Sequence, residues 1–146
     1  MKLAFNLLVI ALFFVGCNKQ TEEKKATKET EKSSKFQMYQ MSEMAALMEQ
    51  MYAYNTQLKE RIIAKDSLDS YPVAFDKLHT AILTDASDRD AFFNEQAYKF
   101  IAAQKKIYQE PSNAKENFNK MVNQCLECHS KKCGGPIPRI KKLLIP

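Results

Sequence analysis

The sequence predicts an all-α protein, and three observations carry that prediction. Between residues 36 and 133 glycine is absent, and proline occurs only at Pro72 and Pro111. Apolar residues recur at steps of three and four, the spacing of one face of an α-helix. No stretch sustains the alternation of apolar and polar residues that a half-buried strand requires.

The elements follow in order. Residues 37–64 predict a first helix of about seven turns, with Met41, Met44, Met48, Met51 and Asn55 on one stripe and Leu47, Leu58, Ile62 and Ile63 widening it. Asp66-Ser67 and Asp69-Ser70 break the pattern, and Pro72 suits the first turn of a second helix carrying Val73, Phe75, Leu78, Ile82 and Leu83. A third helix is expected from the capping candidate Ser87 to about Gln109, burying Phe92, Phe93, Ala97, Phe100, Ile101 and Ile107. Pro111-Ser112-Asn113 separates it from a fourth helix, with Phe118, Met121, Val122, Cys125 and Cys128 on one side. Gly134-Gly135-Pro136 ends that helix, and the proline-rich PIPRIKKLLIP is expected to be non-helical. Four amphipathic helices with short connections predict an antiparallel four-helix bundle. The alternative is a helical hairpin that completes its core as a homodimer.

The front of the chain has a different character. Lys2 precedes the apolar run LAFNLLVIALFFVG, which is short for a membrane span and has the layout of an export signal. Phe14-Val15-Gly16-Cys17 resembles a bacterial lipobox, so residues 1–16 are expected to be a lipoprotein signal and Cys17 the acylated first residue of the mature chain. Phe14 departs from the usual leucine of that motif. Residues 18–35 hold six lysines and four glutamates with almost no apolar side chain, a composition that cannot offset ordering entropy. They read as a tether reaching roughly 20–25 Å. Residues 17–36 are thus a lipidated, charged linker to the membrane, and residues 37–146 one small domain in the bacterial cell envelope, periplasmic or outer-membrane associated.

With Cys17 assigned to lipid, the remaining cysteines, Cys125, Cys128 and Cys133, fall within one short segment that also holds His129. None has a distant partner, so no disulfide scaffold is available. In Cys125-Leu126-Glu127-Cys128-His129 the two thiols are three residues apart on one helix face. That spacing lets both reach the vinyl groups on one edge of a porphyrin, with the following imidazole under the iron. CxxCH is the attachment signal for a single covalent haem c, whose maturation requires the export that the front of the chain implies. Two alternatives compete. Cys125, Cys128, His129 and Cys133 have the residue types of a tetrahedral zinc site, although adjacent Cys128 and His129 turn inward together only with difficulty. A thioredoxin-like CxxC would need a preceding strand.

A four-helix domain with CxxCH near the end of its last helix resembles a class II cytochrome c, the group of cytochrome c′ and its low-spin, methionine-ligated relatives. The resemblance covers residues 37 to about 142. It implies haem on Cys125 and Cys128, His129 as proximal iron ligand, and a first helix crossing the opposite face. Low-spin members draw a methionine ligand from that helix, whereas cytochrome c′ leaves the iron open to gases. This chain departs from the pattern after the motif, where Cys133 and the GGPIPRIKKLLIP tail follow.

Four methionines at helical spacing are ordinary adaptable core residues; set against a haem, one becomes a ligand. Met48 is the expected distal ligand because it sits mid-helix, with Met44 and Met51 a turn to either side as alternatives. A thioether ligand raises the reduction potential, which suits electron transfer. His79, beside Phe75 and Ile82, is expected to be a boundary residue, and Cys133 a thiol buried under the tail. No acidic residue follows Glu127, while Lys131, Lys132, Arg139, Lys141 and Lys142 do. They form a positive collar suited to steering an acidic redox partner. The moderate net charge of +5 and membrane tethering exclude a nucleic-acid role. The expected function is electron transfer with no enzymatic chemistry; the alternatives are a high-spin, gas-binding cytochrome c′-like protein and a zinc-stabilised helical lipoprotein.

Overall fold

A computed structural model describes residues 40–146; the expected signal, the expected lipidation residue Cys17 and the expected tether lie outside the described residues. The described chain is all-α, with no strand. Three long helices dominate: α1 (Glu43–Ala64), α2 (Ala91–Gln109) and α3 (Ala114–Lys132).

Helix α1 starts later than its apolar pattern predicts because Ser42 caps it, its hydroxyl accepting from the Ala45 N–H at 3.1 Å. Met41 therefore precedes the helix and is exposed, while Met44, Leu47, Met51, Asn55 and Leu58 form the buried stripe. The helix stops at Lys65, whose φ of 59° is left-handed. The Asp66 N–H closes the end on the Arg61 carbonyl at 3.0 Å.

The second expected α-helix is instead a 3₁₀-helix of seven residues, Val73–His79. At three residues per turn, positions three apart eclipse, and Phe75, Leu78 and Ala81 are the buried positions. Val73 and Ile82, assigned to the apolar face by the α-period, are exposed instead. The α-period and the 3₁₀-period diverge too little over so short a segment to be told apart by pattern. Arg89 then fixes its end: the guanidinium donates to the carbonyls of His79 at 2.7 Å and Ala81 at 2.6 Å, with its flat face over Phe93. This side chain supplies partners that a continuing α-helix would have supplied itself.

Ser87 does not cap the next long helix. It lies in a separate 3₁₀ turn, Ala86–Asp88, held by Asp85, and Asp90 caps α2 by accepting from Phe93 N–H at 2.8 Å. Pro111–Asn113 makes a 3₁₀ turn before α3. Helices α2 and α3 form a tight antiparallel hairpin, held by Gln96–Glu127 at one end (3.3 Å) and Asn117–Glu110 at the other (3.2 Å). Helix α1 approaches α3 closely over only a short stretch.

The tail is not irregular as its prolines predict. Pro136 enters a short helix, α4 (Ile137–Lys141), in which a proline at the start costs no hydrogen bond. Ile140, Leu143 and Ile145 are buried. Lys59 donates to the carbonyls of Lys142 (2.8 Å) and Leu144 (3.0 Å), and Asn119 exchanges two bonds with Ile145.

Candidate haem-attachment site

The last turns of α3 carry Cys125, Cys128 and His129 at relative positions i, i+3 and i+4, so all three fall on one face. That face looks across the gap that α1 leaves when it stands off from the α2/α3 hairpin. Three adjoining cavities of about 40, 70 and 300 Å³ occupy the gap, and Met48 and His129 line every one of them. Cys125 lines the first two, Cys128 the first and third. Met51 and Phe100 complete the inner wall. Met44 reaches only the largest cavity and Met41 none. The motif and the middle of the methionine stripe thus meet in space, with more than 70 residues of chain between them.

His129 is held in one orientation. Its Nδ1 lies 2.9 Å from the carbonyl of Cys133, the residue that caps α3. A carbonyl only accepts, so Nδ1 is the donor, and in the neutral ring the lone pair is on Nε2. This is the arrangement a metal-binding imidazole needs, with the outer hydrogen bond setting the tautomer.

The two thiols are equally informative. Burial pushes the Cys125 thiol up to about 12, and its sulfur sits 3.8 Å from that of Met121. Burial also raises Cys128, against the lowering influence of Lys132. Both are neutral thiols at physiological pH, unlike the stabilised thiolates of disulfide-exchange sites. Among the described residues no three His, Cys, Asp or Glu side chains converge in metal-holding geometry. Cys133, expected beneath the tail, is exposed at the rim of the largest cavity, because its backbone is committed to ending α3.

His79 lies elsewhere. Its ring stacks on exposed Tyr98 with centroids 4.3 Å apart, and it lines none of the three cavities. The collar divides. Lys132 bonds Asp90 at 2.7 Å and Asp88 at 3.3 Å, and Arg139 grips Glu49 with two bonds of 2.8 and 3.0 Å. Lys131, Lys141 and Lys142 remain exposed.

Sequence reasoning missed Glu49, Tyr52 and Gln96 as residues of the site and placed Arg139 only in the positive collar. Glu49, Tyr52 and Arg139 line the 70 Å³ cavity together, with the Arg139 guanidinium 4.1 Å above the Tyr52 ring. The bond from Arg139 holds the Glu49 carboxyl below the usual carboxylate range. Gln96 is almost wholly buried beside Cys125 and Cys128, its amide donating to Glu127 at 3.3 Å. Only its place in the α2 stripe, where a polar residue interrupts Phe93 and Phe100, marks it in the sequence. A larger groove of about 720 Å³ lies between the end of α1 and the start of α3, and no residue of the CxxCH cluster lines it. No protein-family model matches the chain, and comparisons with curated proteins and with solved structures return no significant match.

Proposed function

We propose that this chain is a lipid-anchored monohaem c-type cytochrome of the bacterial envelope, passing single electrons between protein partners. One observation carries the reading: CxxCH and Met48 line the same cavities, with Nδ1 of the imidazole tied to the Cys133 carbonyl and Nε2 left as the ring's other nitrogen. The donor set fits haem c: two thiols at the attachment spacing, a histidine with Nε2 bare and a thioether on the facing helix. Cys125 and Cys128 would carry the two thioether links, His129 would be the proximal ligand and Met48 the distal one. Bound there, haem supplies a one-electron iron couple whose potential a thioether ligand raises.

The protein's own residues do the rest. Phe93, Ala97 and Phe100 line the site with apolar surface, and a low-dielectric lining strengthens the charge interactions beside it. Lys131, Lys141 and Lys142, exposed and following the motif in the sequence, would supply positive charge suited to steering an acidic partner. In the fold of the resemblance, the short 3₁₀ segment Val73–His79 would take the place of the second bundle helix. Cys17 would hold the domain to the membrane through its lipid.

Expression of the full chain in a host with haem-attachment machinery tests the reading. The product should keep its colour through denaturation and acid–acetone extraction, which strip non-covalent haem. A colourless product that binds zinc would end it. A coloured, high-spin product that takes up CO readily would keep the haem and replace electron transfer with gas binding.

A further inference from the structure

The cavity shared by Met48, Cys125 and His129 has one wall that belongs to neither the first helix nor the α2/α3 hairpin. Pro136, Arg139, Ile140 and Leu143 supply it, all from the segment after the CxxCH motif. The far half of that segment is anchored deeply, through buried Leu143 and Ile145 and the bonds from Lys59 and Asn119. The near half, which faces the cavity, is tied to α1 by the two hydrogen bonds that Arg139 donates to Glu49 and by its guanidinium over Tyr52. Both charged side chains of that tie are about half exposed. It is therefore the weaker anchor, and the one that salt screens.

We infer that the segment from Pro136 to Leu143 is the access-determining wall of the site, and that Arg139 is a positioning residue whose grip on Glu49 and Tyr52 governs how freely solvent and small ligands reach the Cys125–Met48–His129 face. Its bearing on iron chemistry rests on the haem reading; the shielding itself does not. A guanidinium suits this task better than an ammonium, because it pairs a carboxylate through two parallel bonds and lies flat on a ring at once. The inference also separates the two motif cysteines. Cys125 lines the cavity that contains Arg139, and Cys128 does not.

Full chain made without haem-attachment machinery is alkylated with iodoacetamide, and each cysteine is followed separately by mass spectrometry. Arg139→Gln should speed modification of Cys125 about three- to tenfold while Cys128 and exposed Cys133 hardly change. Arg139→Lys should fall between. High salt should speed Cys125 in the parent and do little in Arg139→Gln. In haem-loaded protein, Arg139→Gln should speed CO combination with the reduced form by a similar factor. An unchanged Cys125 rate, or equal acceleration of Cys125 and Cys128 as general loosening would produce, overturns the inference. Absence of covalent haem would sink the proposed function and leave the alkylation result to stand or fall by itself.

Discussion

Met48→Ala separates a ligand from a core residue, because at this position the two roles predict opposite rankings. Met44 and Met51 are each only 6 % exposed, whereas Met48 is partly buried at the edge of three cavities. Truncating a buried methionine costs about 2–5 kcal/mol. A half-buried one loses roughly half the transfer term, so Met48→Ala should cost about 1–2 kcal/mol. Alanine keeps the helix, being its best former. On packing alone, Met48→Ala is thus the mildest of the three. As a ligand, Met48 should nonetheless give the largest spectral change: low-spin haem becomes high-spin, the potential falls and the reduced iron takes up CO. Chemical denaturation, visible spectra and potentiometry on the three single variants decide it. If Met44→Ala or Met51→Ala alone converts the spin state, the assignment is wrong. If the parent is already high-spin, the stripe is core throughout.

Other expectations follow from the same geometry. Lys65 holds a left-handed φ of 59° that glycine adopts without cost, so Lys65→Gly should stabilise the domain by about 1 kcal/mol, read as a higher denaturation midpoint at unchanged slope. Arg89→Ala removes the donors to His79 and Ala81; unfolding should become easier by about 2–3 kcal/mol, with exchange protection lost first around residues 73–81. In haem-free chain the raised Cys125 thiol binds its proton more tightly folded than unfolded. The Cys125 contribution to stability should therefore be full below the unfolded thiol range near 8.5 and decline toward pH 12 by about 1.4 kcal/mol per unit. Cys125→Ala should flatten that alkaline decline, and an unaltered curve would refute the buried-thiol account.

How much of this was legible in the sequence depends on the range of the interactions involved. The helical class, the α2 and α3 stripes and the position of the CxxCH face all come from local period and turn chemistry, which neighbouring residues encode. Met48 was singled out by its mid-helix place, and the fold brings it to the cavities with the motif. The pattern of the second helix misleads because 3.0 and 3.6 residues per turn are nearly indistinguishable across seven residues; the end of the segment is held by Arg89, more than ten positions away from Leu78. The tail failed because its prolines fall at the one turn of a helix that tolerates them. Cys133 departs from the expected buried position because it ends α3 through its backbone, which its side chain does not advertise.

The buried polar residues explain why Met48 faces the motif at all. A stripe of flexible methionines can slide or rotate against an apolar wall at small cost, since methionine repacks readily. Asn55 removes that freedom. It lies two turns beyond Met48 on the same face, its amide donates to Met51 carbonyl at 2.9 Å, and its oxygen accepts from Gln104 of α2 at 3.1 Å. Gln104 also reaches Tyr108, whose hydroxyl meets Tyr54 of α1. A shift of α1 by one residue would break the two bonds that cross between helices, leaving the Asn55 side-chain oxygen buried without its Gln104 donor and parting Tyr108 from Tyr54, at about 1–3 kcal/mol for a buried group left unsatisfied. The same logic holds α2 against α3, where Gln96 bonds Glu127 inside the CxxCH turn. The two pins share α2, so the register of Met48 against Cys125 and His129 is set through a third helix. An apolar core of the same volume would hold the helices together without fixing which methionine stands opposite the histidine.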